Sequence, residues 1–139
     1  MSVKDHLKFF KFNNEQDYSL AESGLGFLIP GSPARGAINP PEPIEYFALL
    51  TFKEGEPRGN HYHKEKAEYM IILNGSLHCD FSSVSNRKDS YSVKLNAGEM
   101  VRISPGCIHT YMALGGDATA LEISPQKLDL SDVIELENK

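Results

Sequence analysis

The chain has 139 residues, of which 40% are hydrophobic and 24% charged, and its formal net charge is −5. That length and composition suit one globular domain rather than a disordered segment. A mildly acidic chain without a basic cluster is a poor partner for nucleic acid or an anionic membrane, and no stretch approaches the roughly 20 apolar residues of a membrane span.

The opening MSVKDHLKFFKF is broken by Lys, Asp and His. It has no apolar h-region or small-residue cleavage site, so it does not read as a signal peptide, and a cytoplasmic location is expected. No helical pattern of useful length occurs between Leu25 and Ser124. Short β-rich runs occur instead, at Leu25–Ile29, Ile44–Phe52, Glu68–Leu73, Ser76–Phe81, Tyr91–Leu95, Met100–Ile103, Thr110–Leu114 and Thr119–Ile123. Pro30–Pro43, with five prolines and two glycines, cannot be an interior strand. Asn74-Gly75 between two runs is a strong hairpin signal, because both residues tolerate positive φ. Asn96-Ala97-Gly98 and Gly115-Gly116-Asp117 are further turns. The polar stretch Ser82–Ser90 predicts an exposed hairpin loop. The tail Lys127–Lys139 contains DLSDVIELE, a short helix or an edge strand.

Many short strands at regular spacing predict an all-β sandwich or barrel. No repeat or domain boundary stands out. One domain is expected over residues 1–139, with a barrel at about 44–124, an arm at 1–43 and a tail at 125–139. With no Trp, its core must be built from aliphatics, Phe and Tyr. The two cysteines, Cys79 and Cys107, have no CxxC spacing and fit a reducing compartment as free thiols.

The chemistry gathers in two segments. In the first, His61 and His63 are two apart on extended chain, so both imidazoles point to one face. Glu68 opens the following run and can send a carboxylate toward the same point. Imidazole with carboxylate suits one divalent transition metal such as Zn, Fe, Mn or Ni, with no choice among them from ligand type. In the second segment, Ser-Pro-Gly at 104–106 ends one run and His109 begins the next. His109 becomes a further ligand if its strand faces the first pair in a closed barrel. His6 and His78 lack ligand spacing and read as surface or hydrogen-bonded histidines.

These two segments resemble the paired motifs of the cupin superfamily. Gly55, His61, His63, Glu68 and Gly75 match the first motif, and Gly98, Gly106 and His109 match the second. Ser104 stands where the second motif has its first Pro, and Ala113 where it has Asn; neither change removes a ligand. The resemblance covers about 55–113. It implies a double-stranded antiparallel β-helix, or jelly-roll barrel, often homodimeric, with His61, His63, Glu68 and His109 holding the metal.

The stretch Arg58–Lys64 is similar to segments of cupins in surface-polysaccharide and deoxysugar-nucleotide pathways, including ketoisomerases, epimerases and the cupin module of a capsule-synthesis reductase. That likeness implies a small carbohydrate or nucleotide-linked sugar as ligand and isomerase or epimerase chemistry. The retained ligand set favours the metal-bearing, capsule-type module. Tyr111, two residues after His109, should share the inward face, and with Glu122 it is a candidate acid or base. Arg58 and Asn60 are candidate substrate contacts, Arg58 through its planar fork toward a phosphate. A metal-dependent oxygenase and a non-catalytic metal- or ligand-binding module are the alternatives.

Overall fold

The computed structural model describes residues 2–11 and 44–136. Ten strands follow one another: β1 (Leu7–Lys11), β2 (Tyr46–Phe52), β3 (Arg58–His63), β4 (Glu68–Asn74), β5 (Ser76–Ser83), β6 (Ser90–Asn96), β7 (Glu99–Ile103), β8 (Cys107–Ala113), β9 (Ala118–Ser124) and β10 (Val133–Glu135). Two short 3-10 turns, Val3–His6 and Leu130–Asp132, complete the described elements. Among the described residues no helix is long and apolar enough to cross a membrane.

The strands form two five-stranded sheets, ordered β1-β7-β4-β9-β2 and β10-β3-β8-β5-β6. All named strand pairs are antiparallel. From β2 onward the chain changes sheet at every connection except β5 to β6. The core lies between the sheets. β5 sends Leu77, Cys79 and Phe81 inward on alternate positions, β4 sends Met70 and Ile72, and β8 sends Tyr111 and Ala113. Phe52 and Phe81 are both about 1% exposed, and full burial of such a side chain contributes roughly 1.5–3 kcal/mol. The opposite face of the first sheet carries a second cluster of Tyr69, Ile71, Met100 and Ile123.

Most expected runs match strands to within one or two residues. β8 begins at Cys107, three residues before the expected Thr110. Strands β1 and β3 were not among the runs. In β3 the sequence RGNHYH has no apolar alternation, because its inward side chains are imidazoles rather than aliphatics. The tail resolves into both expected forms, a 3-10 turn and then the edge strand β10, which pairs with β3. The run Leu25–Ile29 and the Pro-rich stretch Pro30–Pro43 lie outside the described residues.

The Asn74-Gly75 expectation needs correction. β4 and β5 do not pair; they lie in different sheets, so Asn74-Gly75 is a corner between sheets and not a hairpin. Only Gly75 of the two has positive φ, at 78°. The turns at 96–98 and 115–117 are corners of the same kind. The true hairpin joins β5 to β6 through the polar loop expected there. That loop is not purely solvated, since the Val3 amide donates to Asp89 Oδ2 at 2.7 Å. Ser104 has a structural use that proline would forfeit: its N–H donates to the His6 carbonyl at 2.8 Å.

At Gly75 a Cβ would lie 2.5 Å from the Asp117 carbonyl oxygen and 3.0 Å from Ala118 Cα, both backbone atoms. Gly75→Ala should therefore cost at least about 2 kcal/mol, from left-handed strain plus forced separation of two corners. Urea unfolding of the variant tests this; a loss under about 0.5 kcal/mol would show that the corner is not held tightly.

Candidate metal centre

Three imidazoles from one sheet meet a carboxylate from the other. β3 and β8 are neighbours, and their register sets His61 directly opposite His109. Cross-strand partners project to the same face, and their ring centroids are 4.7 Å apart. His63, two residues along β3, lies with its ring 5.2 Å from His61 and 5.8 Å from His109. Glu68 enters from the first residue of β4 across the interior. One donor atom from each of His61, His63, Glu68 and His109 lies within 4.8 Å of all the others.

A β-bulge makes this register. Gly59 pairs with Thr110 and His61 with His109, so Asn60 is the extra residue. Asn60 has φ 59°, a left-handed conformation that asparagine accepts more readily than most residues. At Gly59 a Cβ would come within 2.6 Å of the His109 carbonyl oxygen, so glycine is what lets β3 close onto β8 here.

The donors are well prepared for a cation. His109 Nδ1–H donates to the Cys107 carbonyl at 3.1 Å, which leaves the Nε2 lone pair facing inward. His109 Nε2 is 3.4 Å from Glu68 Oε2, and His63 Nε2 is 2.7 Å from Glu68 Oε1. Despite that short distance, neither ring nitrogen of His63 has a hydrogen bond of acceptable direction, and both are buried. A buried imidazole nitrogen without a hydrogen bond, 2.7 Å from a carboxylate oxygen and beside two more imidazoles, is an arrangement a shared ion would satisfy. Three imidazoles and one carboxylate together are a donor set that fits a divalent transition metal.

Burial, with His109 nearby, lowers the His61 pKa to about 4, against the opposing pull of Glu68. Burial likewise lowers His109. Burial alone would raise the Glu68 carboxyl, but His109, His63, Glu122 and Lys66 together hold it well below the usual carboxylate range. Burial, with Glu68 beside it, pushes the Glu122 carboxyl up to about 8. For His61 and His109 these directions favour neutral imidazole facing the Glu68 carboxylate, the protonation states that ligation needs.

The remaining expected residues fall into different places. Tyr111 lies on the inward face with its ring 5.5 Å from His109. Its hydroxyl is buried without a hydrogen-bond partner. Burial, then the Glu68 and Cys79 charges, raise its pKa well above the usual phenol value. Glu122 is buried on β9, in register with Met70. Arg58 is exposed, donates from Nη1 to the Thr51 carbonyl at 2.9 Å, and lies over the Phe52 ring at 5.2 Å. The Asn60 amide donates to the Leu136 carbonyl at 3.1 Å. His6 donates from Nδ1 to the Pro105 carbonyl, and His78 pairs with Asp80 near the surface. The two thiols are buried, and burial pushes both up to about 12.

Lys66 is the residue that sequence reasoning missed. It is 4% exposed, with Nζ 3.4 Å from both Glu68 Oε1 and Glu122 Oε1 and 4.4 Å above the Tyr46 ring. A lysine in KEKA reads as solvated until its partners are known.

The family described as the polysaccharide biosynthesis C-terminal domain matches residues 44–124. No curated protein is significantly similar to the chain in sequence. Among solved structures, the QdtA 3,4-ketoisomerase from Thermoanaerobacterium thermosaccharolyticum is 20% identical with a TM-score of 0.65, covering 94% of this chain and 88% of that one. The capsular polysaccharide assembling protein CapF from Staphylococcus aureus is 23% identical with a TM-score of 0.63, covering 70% of this chain and 28% of that one. NovW, a 4-keto-6-deoxy sugar epimerase from Streptomyces spheroides, is 20% identical with a TM-score of 0.61, covering 70% and 53%. The chain thus spans about half the length of NovW and less of CapF. These likenesses establish the fold as the cupin jelly roll expected from the motifs.

Removing the cation from a buried ion group leaves its carboxylates uncompensated, at a cost of about 3–5 kcal/mol. Lys66→Met should destabilise the metal-free protein by roughly 3 kcal/mol in urea unfolding, and adding Glu68→Gln, which removes the carboxylate left unpaired, should recover part of it. A single-variant loss below about 1 kcal/mol would mean that Lys66 is dispensable to the group.

Proposed function

Because the chain belongs to the polysaccharide biosynthesis C-terminal domain family, we propose that it is a metal-holding cupin acting on a small carbohydrate or nucleotide-linked keto-sugar, with isomerase or epimerase chemistry. The observation that carries the metal part is the convergence of His61, His63, Glu68 and His109. The likeness to the QdtA ketoisomerase and the NovW epimerase supports the substrate class.

Isomerisation or epimerisation removes a proton beside a carbonyl. The ion, when bound, supplies Lewis acidity toward a carbonyl or enolate oxygen. The chain's own groups do the rest. His109 is held in one tautomer by the Cys107 carbonyl. Lys66 offsets the charge of Glu68 and lies equally close to Glu122, so the two carboxyl groups can stay close. Tyr111, kept protonated by burial and neighbouring carboxylates, is assigned as proton donor rather than base. Glu122, held toward its protonated form by burial and by Glu68, is assigned as the second proton carrier. Arg58, at the exposed start of β3, is assigned to a phosphate of the ligand, with Asn60 beside it on the bulge.

One observation favours a second reading, a non-catalytic metal- or ligand-binding module. Met70, Ile72 and Tyr111 are packed into the core with Phe52 and Leu77, which fills the barrel beneath the imidazoles. The assembly we propose is a homodimer, supported by Phe47 and Leu49 exposed on the edge strand β2. Sedimentation as a monomer at micromolar concentration would refute it. A cytoplasmic setting is part of the same proposal and accords with two free thiols.

Protein purified without added metal should carry about one divalent ion per chain, and His61→Ala should lose most of it. Incubated in deuterium oxide with a nucleotide-linked keto-sugar, the protein should incorporate solvent deuterium beside the carbonyl. Full metal content in the His61→Ala variant would refute the ligand assignment. Retained metal without exchange across a panel of such sugars would leave the binding module, and iron as the native ion would point to oxygen chemistry.

A further inference from the structure

The loop 64–67 links two proposed ligands that belong to different sheets. His63 ends β3 and Glu68 opens β4. The loop therefore sets how far apart those two donors stand. Its four amides all donate to side chains from beyond β9. Lys64 and Glu65 donate to Asp132 Oδ1 at 2.9 and 3.0 Å, Lys66 to Asp132 Oδ2 at 3.1 Å, and Ala67 to Gln126 Oε1 at 2.9 Å. The Ala67 carbonyl accepts from Ser124 Oγ at 2.7 Å, and the same hydroxyl accepts from the Gln126 amide at 3.0 Å.

The same segment then runs behind the imidazoles. β10 pairs with β3, setting Val133 opposite His63 and Glu135 opposite His61. Asp132 Oδ2 is 3.8 Å from His63 Nδ1, and Glu135 Oε1 is 3.7 Å from His61 Nδ1. Neither contact is a hydrogen bond, so these carboxylates flank the two rings from behind without fixing them directly. Leu136 closes the run, its amide donating to the Asn60 carbonyl at 3.0 Å. Gln126 and Asp132 both lie outside the family match, which ends at 124.

We infer that residues 124–136 are a latch on the metal loop, with Asp132 as its main positioning residue. The inference rests on the reading of His61, His63, Glu68 and His109 as a metal site. Asp132 fixes the loop through three amides at once, so it holds His63 and Glu68 at one separation whether or not an ion is present. Gln126 holds the end of the loop nearest Glu68, and Glu135 flanks His61 from the edge.

The test is cobalt(II) titration of the full chain, followed by visible absorption, with zinc(II) competition. Asp132→Ala should weaken cobalt binding about 10- to 100-fold, the range for loss of a group that orients metal ligands, and alter the absorption bands. Asp132→Asn keeps an acceptor oxygen and should recover part of the affinity. Gln126→Ala should weaken binding less. In the metal-free protein, hydrogen exchange at amides 64–67 should be protected in the wild type and fast in Asp132→Ala. If Asp132→Ala does not fold, Asp132→Asn and Gln126→Ala decide the matter. Folded variants with wild-type cobalt affinity and spectrum would overturn the latch while leaving the metal site standing. A wild-type chain that takes neither cobalt nor zinc would overturn both.

Discussion

A carboxylate sealed between two sheets is costly unless cations or hydrogen-bond donors surround it, and Glu68 is that carboxylate. It is 3% exposed and lies close to His63, His109, Lys66 and Glu122 at once. His63 and His109 reach it from one sheet, Glu122 from the other, and Lys66 from the loop between them. The interaction is thus the polar tie between the two layers at this end of the barrel, where the apolar core gives way to imidazoles. It also decides charge. Burial lowers His61 and His109 while Glu68 is held well below the usual carboxylate range, and Glu122 is held toward its protonated form.

The backbone is shaped to keep that tie. A jelly roll that changes sheet at nearly every connection brings β3 beside β8 although almost fifty residues of sequence lie between their histidines. The bulge at Asn60 then corrects the parity. Arg58 pairs with Tyr111 and His61 with His109, an odd separation on β3 against an even one on β8. Without the extra residue, either Arg58 or His61 would face away from its partner's side. The closeness of Gly59 to the His109 carbonyl shows how tightly the strands meet at this point.

Much of this was legible in the sequence, for identifiable reasons. Strands whose inward residues are aliphatic, such as β4 and β5, announce themselves by composition and period. The four residues proposed as ligands did so by spacing: two residues apart on one strand, a carboxylate at the head of the next, and a third histidine after a Pro-Gly turn. Two kinds of information stayed hidden. A glycine turn has the same local chemistry whether its strands pair or part, so Asn74-Gly75 could not reveal that it was a corner. Partners supplied from far along the chain are equally invisible. Lys66 reads as a surface lysine until Glu122 is folded against it, and Asp132 reads as a tail acid until three amides of loop 64–67 converge on it. β3 was obscured because its apolar positions had been given over to chemistry.

The division between legible and hidden residues follows the division of labour in the site. Donor atoms must be of particular types at particular spacings, so they leave a pattern within a short window. Residues that hold the donors need only an oxygen in the right place, and any acidic or amide side chain arriving from elsewhere can provide it. The barrel interior below the site is filled by Met70, Ile72, Tyr111 and Phe52, so the imidazoles have little room to retreat inward. The segment 124–136 closes the side behind β3 and the 64–67 loop. Of the four proposed ligands His61 retains the most exposure, at 23% for its side chain, which makes its edge of the cluster the approach open to a ligand. Rigid walls on the inner and rear sides, with freedom left at one edge, are what a site needs if it is to hold its donors in place and still admit a substrate.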